Sequence, residues 1–305
     1  MKKLRIVYMG TPDFAVPSLK ILVENKYDIA AVITAPDKPK GRGQKMSQSP
    51  VKEYAESMGL KIMQPTNLKD PEFQTELTSL KANLQIVVAF RMLPETVWSM
   101  PELGTFNLHA SLLPQYRGAA PIHWAVMNGE KETGLTTFFL KHEIDTGSII
   151  LQEKEVISHT DTTGEVYNRL MAKGAGLVLK TVNAIEKEDY QLKVQNENQP
   201  LKHAPKLFKE NTELKWTEPA EQLYNYVRGL NPFPTAWAII NNNKYKIHVS
   251  TIIDKNSKGE PGKLITDDKT HLHIQCNPGI LAMEEIQPEG KKRMAITDFL
   301  RGNKL

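Results

Sequence analysis

Apolar, strand-like runs at residues 4–9, 29–34, 84–89, 105–108 and 135–140 are separated by stretches of helical periodicity through the first two thirds of the chain. Strands that recur with helices between them build a mostly parallel sheet with helices packed on its faces, an α/β architecture. Helix starts are marked by Ser49-Pro50 and Asp70-Pro71. Each sets a capping residue before a proline at the first helical position, where the missing N–H costs nothing. Gly59 closes the first of these helices. A long helix opens near Asp161 and runs towards Glu186, with Val166, Leu170, Leu177, Val178, Val182 and Ile185 at helical spacing.

Beyond residue 188 the texture changes. Residues 189–205 are polar and irregular, with Asn196, Glu197, Asn198, Gln199 and Pro200 in succession, and read as a linker. Residues 206–305 carry short β-type runs at 245–253, 271–276 and 280–286 between Gly, Pro, Asn and Asp clusters, the pattern of a small β-barrel. A length of 305 residues suits this division into a first domain at 1–188 and a second at 206–305. Unbroken apolar runs such as Ile86-Val87-Val88-Ala89-Phe90 stop at five residues, so no membrane span is expected. The lone Cys276 forms no intrachain disulfide and fits a reducing, cytoplasmic setting.

The net charge of +4 is informative only when it is divided. Lys38, Lys40, Arg42, Lys45 and Lys52 fall within fifteen residues that hold no acid, while the rest of residues 1–205 carries 19 basic against 23 acidic side chains. Residues 206–305 add 15 against 12. A positive segment on an otherwise acidic domain, followed by a basic second domain, suits a polyanionic partner.

The candidate chemistry lies in Phe106-Asn107-Leu108-His109-Ala110-Ser111-Leu112-Leu113-Pro114. Asn107 and His109 are two apart on a strand and share a face, at the carboxyl end where open parallel sheets place ligands. An amide donor beside an imidazole suits a developing oxyanion and a proton transfer. Asp145, in Ile144-Asp145-Thr146-Gly147 after the strand at 135–140, is expected to approach His109 if neighbouring strands are parallel. It would then hold the ring in one tautomer. The eight histidines are scattered and no zinc pattern occurs. Neither Gly41-Arg42-Gly43 nor Gly10-Thr11-Pro12-Asp13 makes a dinucleotide fingerprint, and Ser111 lacks a nucleophile elbow.

Together with Met9-Gly10-Thr11-Pro12-Asp13-Phe14, Pro36 through Gly43, Gln115-Tyr116-Arg117-Gly118-Ala119-Ala120-Pro121, Ala204-Pro205-Lys206-Leu207 and Arg228 through Pro234, these motifs span nearly the whole chain. The chain resembles the folate-dependent formyl transferases, and within them those that act on methionyl-tRNA. The resemblance implies a Rossmann-like catalytic domain and an oligonucleotide-binding (OB) barrel. It also implies transfer of a formyl group from 10-formyltetrahydrofolate to the α-amine of methionine on initiator tRNA, with no metal, by a monomer. It puts the catalytic set on Asn107, His109 and Asp145 and the folate site on Ser111, Leu112, Leu113, Pro114, Phe90 and Arg91. Phe90-Arg91 departs from the Tyr-Gly usual there, so Arg91 puts a side chain where glycine has none. For tRNA the resemblance points to Lys38, Lys40, Arg42, Lys45, Lys206 and Lys209, with Lys291, Lys292 and Arg293 as further phosphate contacts. Phe14 is placed near the methionine side chain. Rival readings are a formyl transferase acting on an amino sugar nucleotide or on glycinamide ribonucleotide, and a tRNA-binding protein without catalysis.

Overall fold

The computed structural model describes residues 3–40 and 45–305. Two units emerge, each assembled from three segments: residues 1–117, 134–155 and 168–202 in the first, and 118–133, 156–167 and 203–305 in the second. The division differs from the sequence boundaries in two respects. Residues 118–133 and 156–167, read as part of the first domain, cluster with the C-terminal strands, and most of the linker joins the first unit.

The first unit holds a seven-stranded sheet. Its spatial order is Ile149–Val156, Glu132–Phe139, Thr105–His109, Leu84–Val88, Arg5–Gly10, Asp28–Ile33 and Ile62–Met63. Five neighbouring strands from Ile62–Met63 to Thr105–His109 run parallel. The strand Glu132–Phe139 runs antiparallel to Thr105–His109, with Phe106 opposite Phe139 and His109 opposite Thr136. This corrects the expectation of parallel neighbours at that edge. Strand periodicity reports which residues are buried, not which way the chain runs.

The helix starts fall where the capping residues put them. The Ser49 hydroxyl accepts from the Lys52 N–H ahead of Pro50–Ser57, and the Asp70 carboxylate accepts from the Glu72 N–H ahead of Pro71–Ser79. The long helix Thr163–Lys187 buries all six of the apolar positions predicted for its inner face. Gly174 brings it close to the site strand, because a Cβ there would meet the Leu108 side chain at 2.9 Å. The hydroxyls of Thr137 and Thr181 bond at 2.9 Å between the antiparallel strand and this helix.

The second unit carries an antiparallel sheet in the order Ala236–Ile240, Asn243–Asp254, Ile280–Pro288, Leu272–Gln275 and Leu264–Thr266. The antiparallel β character expected of the C-terminal region is therefore present. Register shifts along Asn243–Asp254 against Ile280–Pro288 bend that long pair, as bulges do. The core of this unit includes Val227, Ile247, Ile274, Met283 and Phe299, and Met127 also belongs to it.

Candidate active site

Asn107 and His109 lie on the strand Thr105–His109 near its carboxyl end. Asn107 is half-buried, and its side-chain amide makes no hydrogen bond to another described residue. His109 is 6% exposed. Its Nε2 pairs with the carbonyl oxygen of Tyr116 at 2.9 Å. A carbonyl only accepts, so Nε2 carries the proton and the neutral ring keeps its lone pair on Nδ1. Nδ1 faces Oδ2 of Asp145 across 3.9 Å, beyond hydrogen-bond reach. Here the structure corrects the triad analogy: the backbone of Tyr116, and not Asp145, selects the tautomer.

Asp145 reaches His109 from the loop between Glu132–Phe139 and Ile149–Val156, folded back against the sheet. Asp145 itself has φ +57°, a left-handed conformation that is costly for a residue with a Cβ. Two residues on, a Cβ on Gly147 would collide with the carbonyl oxygen of Phe139. Glycine at 147 is thus what allows the loop to close down.

The segment after the site strand is held by its own polar network. The Thr136 hydroxyl donates to the Ser111 carbonyl at 2.7 Å and accepts from the Leu113 N–H at 3.1 Å. Gln152 donates to the Leu113 carbonyl and to Thr136, both at 3.0 Å. Ser111 is fully buried and its hydroxyl donates to the Gln115 carbonyl at 2.6 Å, so this side chain shapes the loop. Leu113 is also buried, while Leu112 and Pro114 are half-buried.

The side chain that Arg91 adds where glycine is usual has partners of its own. Its guanidinium donates to the Thr66 carbonyl at 2.9 Å and to the Pro65 carbonyl, and it lies 5.6 Å from the centre of the half-buried Phe90 ring. It ties the chain after the Leu84–Val88 strand to the segment at 65–66. Phe14 is buried at 5% exposure and serves the core.

Among the basic residues, Lys38–Lys40 and Lys45–Ser47 pair as an antiparallel hairpin instead of a loop, with Lys38 exposed. Arg42 and the side chains of Lys40 and Lys45 lie outside the described residues. Lys52 leaves the free positive group, because its ammonium binds Asp37 at 2.6 Å. The ammonium of Lys52 holds the Asp37 carboxyl below the usual carboxylate range. In the second unit Lys206 sits 5.4 Å from the ring centre of the exposed Phe208. Lys244, missed in the sequence, stands 3.9 Å over Trp237, whose indole donates to the Lys209 carbonyl. Burial and then the neighbouring Lys209 push the Lys244 ammonium below the usual lysine range. Lys291, Lys292 and Arg293 are all exposed, and Arg293 is neutralised by Glu285.

Sequence reasoning also missed Gln195 and Arg117. Gln195 lies within the stretch read as a linker, yet it is the single buried residue between 191 and 200. Its amide donates to the carbonyls of Asp145 and Gly147, each at 2.8 Å.

The family model for formyl transferase matches residues 2–182, and that for the formyl transferase C-terminal domain matches residues 206–304. The chain belongs to the formyl transferase family. Among relatives of this formyl transferase, methionyl-tRNA formyltransferase of Bacteroides fragilis is 51% identical over 312 residues, covering 99% of this chain and 96% of the relative. The enzyme of the same name from Phocaeicola vulgatus is 53% identical over 311 residues, covering 99% and 96%. Among solved structures, the formyl transferase fold is shared with WlaRD, a sugar 3N-formyl transferase (TM-score 0.69, 20% identity, 96% of this chain and 100% of that one). It is also shared with the N-formyltransferase from Helicobacter canadensis (TM-score 0.70, 21% identity, 93% and 99%).

Proposed function

We propose that this protein transfers the formyl group of 10-formyltetrahydrofolate to the α-amine of methionine on charged initiator tRNA, giving N-formylmethionyl-tRNA for translation initiation. The observation that carries this reading is identity near one half, across both family regions, with relatives named methionyl-tRNA formyltransferase. The protein acts as a monomer in the cytoplasm, with the tRNA as its macromolecular partner.

The site geometry supports a specific division of labour. With Nε2–H committed to Tyr116, the Nδ1 lone pair of His109 and the carboxylate of Asp145 are two acceptors facing one gap. Two converging acceptors suit a donor between them, and the attacking amine supplies one. The amine nitrogen bonds to the formyl carbon, whose carbonyl oxygen becomes an oxyanion. The amide of Asn107, which has no partner among the described residues, donates to it, a kind of contact worth about 10²- to 10³-fold in rate. His109 takes the amine proton at Nδ1 beside the Asp145 carboxylate, which favours the resulting cation. Collapse of the oxyanion breaks the bond to the folate nitrogen, and His109 returns the proton it took from the amine to that leaving nitrogen. The folate contacts come from Leu112, Pro114 and Phe90, with Ser111, Leu113 and Arg91 holding their backbones in place.

For the tRNA, Lys38 on the hairpin, Lys206 beside the exposed Phe208 ring, and Lys244 over the half-buried Trp237 ring with Lys209 as its neighbour combine cations with aromatic rings, a composition suited to phosphates and unstacked bases. By sequence, Lys40, Arg42 and Lys45 add three further basic residues to that segment.

The test supplies 10-formyltetrahydrofolate with charged initiator tRNA, uncharged tRNA or an amino sugar nucleotide in turn, and follows formylated product. Product on the charged tRNA alone is expected. Product on the sugar nucleotide and none on the charged tRNA would overturn the reading.

A further inference from the structure

Gln195 uses the whole hydrogen-bonding capacity of its amide. Its Nε2 donates to the carbonyls of Asp145 and Gly147 at 2.8 Å each, and its Oε1 accepts from Nε and Nη2 of Arg117 at 3.0 and 2.6 Å. Guanidinium only donates and a carbonyl only accepts, so these partners admit one orientation of the amide. The Arg117 side chain is itself largely buried, and its Nη2 also donates to Glu197 at 2.7 Å.

The position of this amide matters more than its number of bonds. Arg117 follows Tyr116, whose carbonyl fixes His109. Asp145 bends through a left-handed conformation that its own side chain disfavours. The Gln195 amide therefore joins the backbone that orients one member of the pair to the backbone that presents the other. A polar residue buried alone in an exposed run gains little from apolar burial, so its partners account for its place.

We infer that Gln195, braced by Arg117, is a positioning residue that sets the separation of Asp145 from His109. It contributes to turnover through Asp145 and touches neither substrate. This inference rests on the proposed roles of Asp145 and His109, and its test separates the two.

Single-turnover formylation is measured for the wild type, Gln195→Ala, Asp145→Asn and the double variant, with KM for folate and a thermal melt for each. A misplacement of about 1 Å costs up to about 10²-fold in rate, and Gln195→Ala is expected to lower the chemical step by about 10- to 10²-fold while KM for folate stays within about twofold. In the Asp145→Asn background the same change is expected to cost less than about twofold, because the group being positioned has already lost its charge. Equal losses in both backgrounds would overturn the role assigned to Gln195. Wild-type rates in Asp145→Asn would overturn the reading of the site itself. Gln195→Glu keeps the Arg117 contact but removes both N–H donors, so it covers the case in which the alanine variant does not fold. It is expected to match the alanine loss at pH 8, and a wild-type rate there would also overturn the inference.

Discussion

His109 is tied through Nε2 to the carbonyl oxygen of Tyr116 at 2.9 Å, while its other nitrogen meets Asp145 only across 3.9 Å. The imidazole is oriented by main chain, which no side-chain substitution removes. Asp145 contributes charge to the gap beside the ring.

Asp145→Asn is therefore expected to leave the ring in its present tautomer and to lower turnover by about 10²- to 10⁴-fold through loss of the carboxylate. The thermal midpoint should move by no more than about 2 °C, since Gln195 holds residue 145 through its carbonyl. Turnover near the wild-type value would remove Asp145 from the mechanism.

Asn107→Ala separates catalysis from folding even more cleanly. The amide makes no hydrogen bond to another described residue, so stability is expected to change by less than about 0.5 kcal/mol. The rate of the chemical step should fall by about 10²- to 10³-fold. A large loss of stability with an unchanged rate would make Asn107 structural.

The basic hairpin and Lys52 should part company in salt titrations of tRNA binding. Neutralising Lys38, Lys40, Arg42 and Lys45 together should flatten the slope of log K against log salt by about 0.7 to 0.9 for each phosphate that no longer meets a cation. Lys52→Gln should leave that slope unchanged, because its ammonium is spent on Asp37. A change in slope with Lys52→Gln alone would return that lysine to the tRNA interface.

Cys276 gives a pH-dependent test. Burial pushes its thiol up to about 11, above the free thiol value of about 8.5. The folded state thus holds its proton longer than the unfolded chain does. The stability this contributes is fully present below about pH 8.5 and is lost as pH rises towards about 11. Thermal midpoints of the wild type should fall across that window more steeply than those of Cys276→Ala. The native thiol should also resist a disulfide reagent at pH 8 and react once the chain is unfolded; equal slopes and rapid native labelling would contradict the buried assignment.

The elements legible in the sequence are those written in local chemistry. Ser49 and Asp70 cap their helices as their position before proline indicates, and the apolar spacing from Val166 to Ile185 marks the buried face of the long helix. Asn107, His109 and Asp145 are recognisable as a set from their motifs, and the structure brings His109 and Asp145 within 3.9 Å. The antiparallel sense of Glu132–Phe139 is not legible, because alternation looks the same in either direction. Nor is Gln195: a glutamine among Asn, Glu and Gln residues carries no local mark of burial, and its partners lie 48 to 78 positions away. The Arg91 contact with Pro65 and Thr66 is equally remote in sequence.

The assignment of residues 118–133 to the second unit bears on how this chain can be taken apart. Met127 is 2% exposed within the core built around Val227, Ile247 and Met283, and a Cβ on Gly229 would press against it. A polypeptide expressed from residue 206 onward would lack Met127 and the helix that carries it, and would present a hole where that side chain sits. The C-terminal region is thus not a cassette to be cut at its sequence border and grafted elsewhere. A portable version would have to bring residues 118–133 and 156–167 with it.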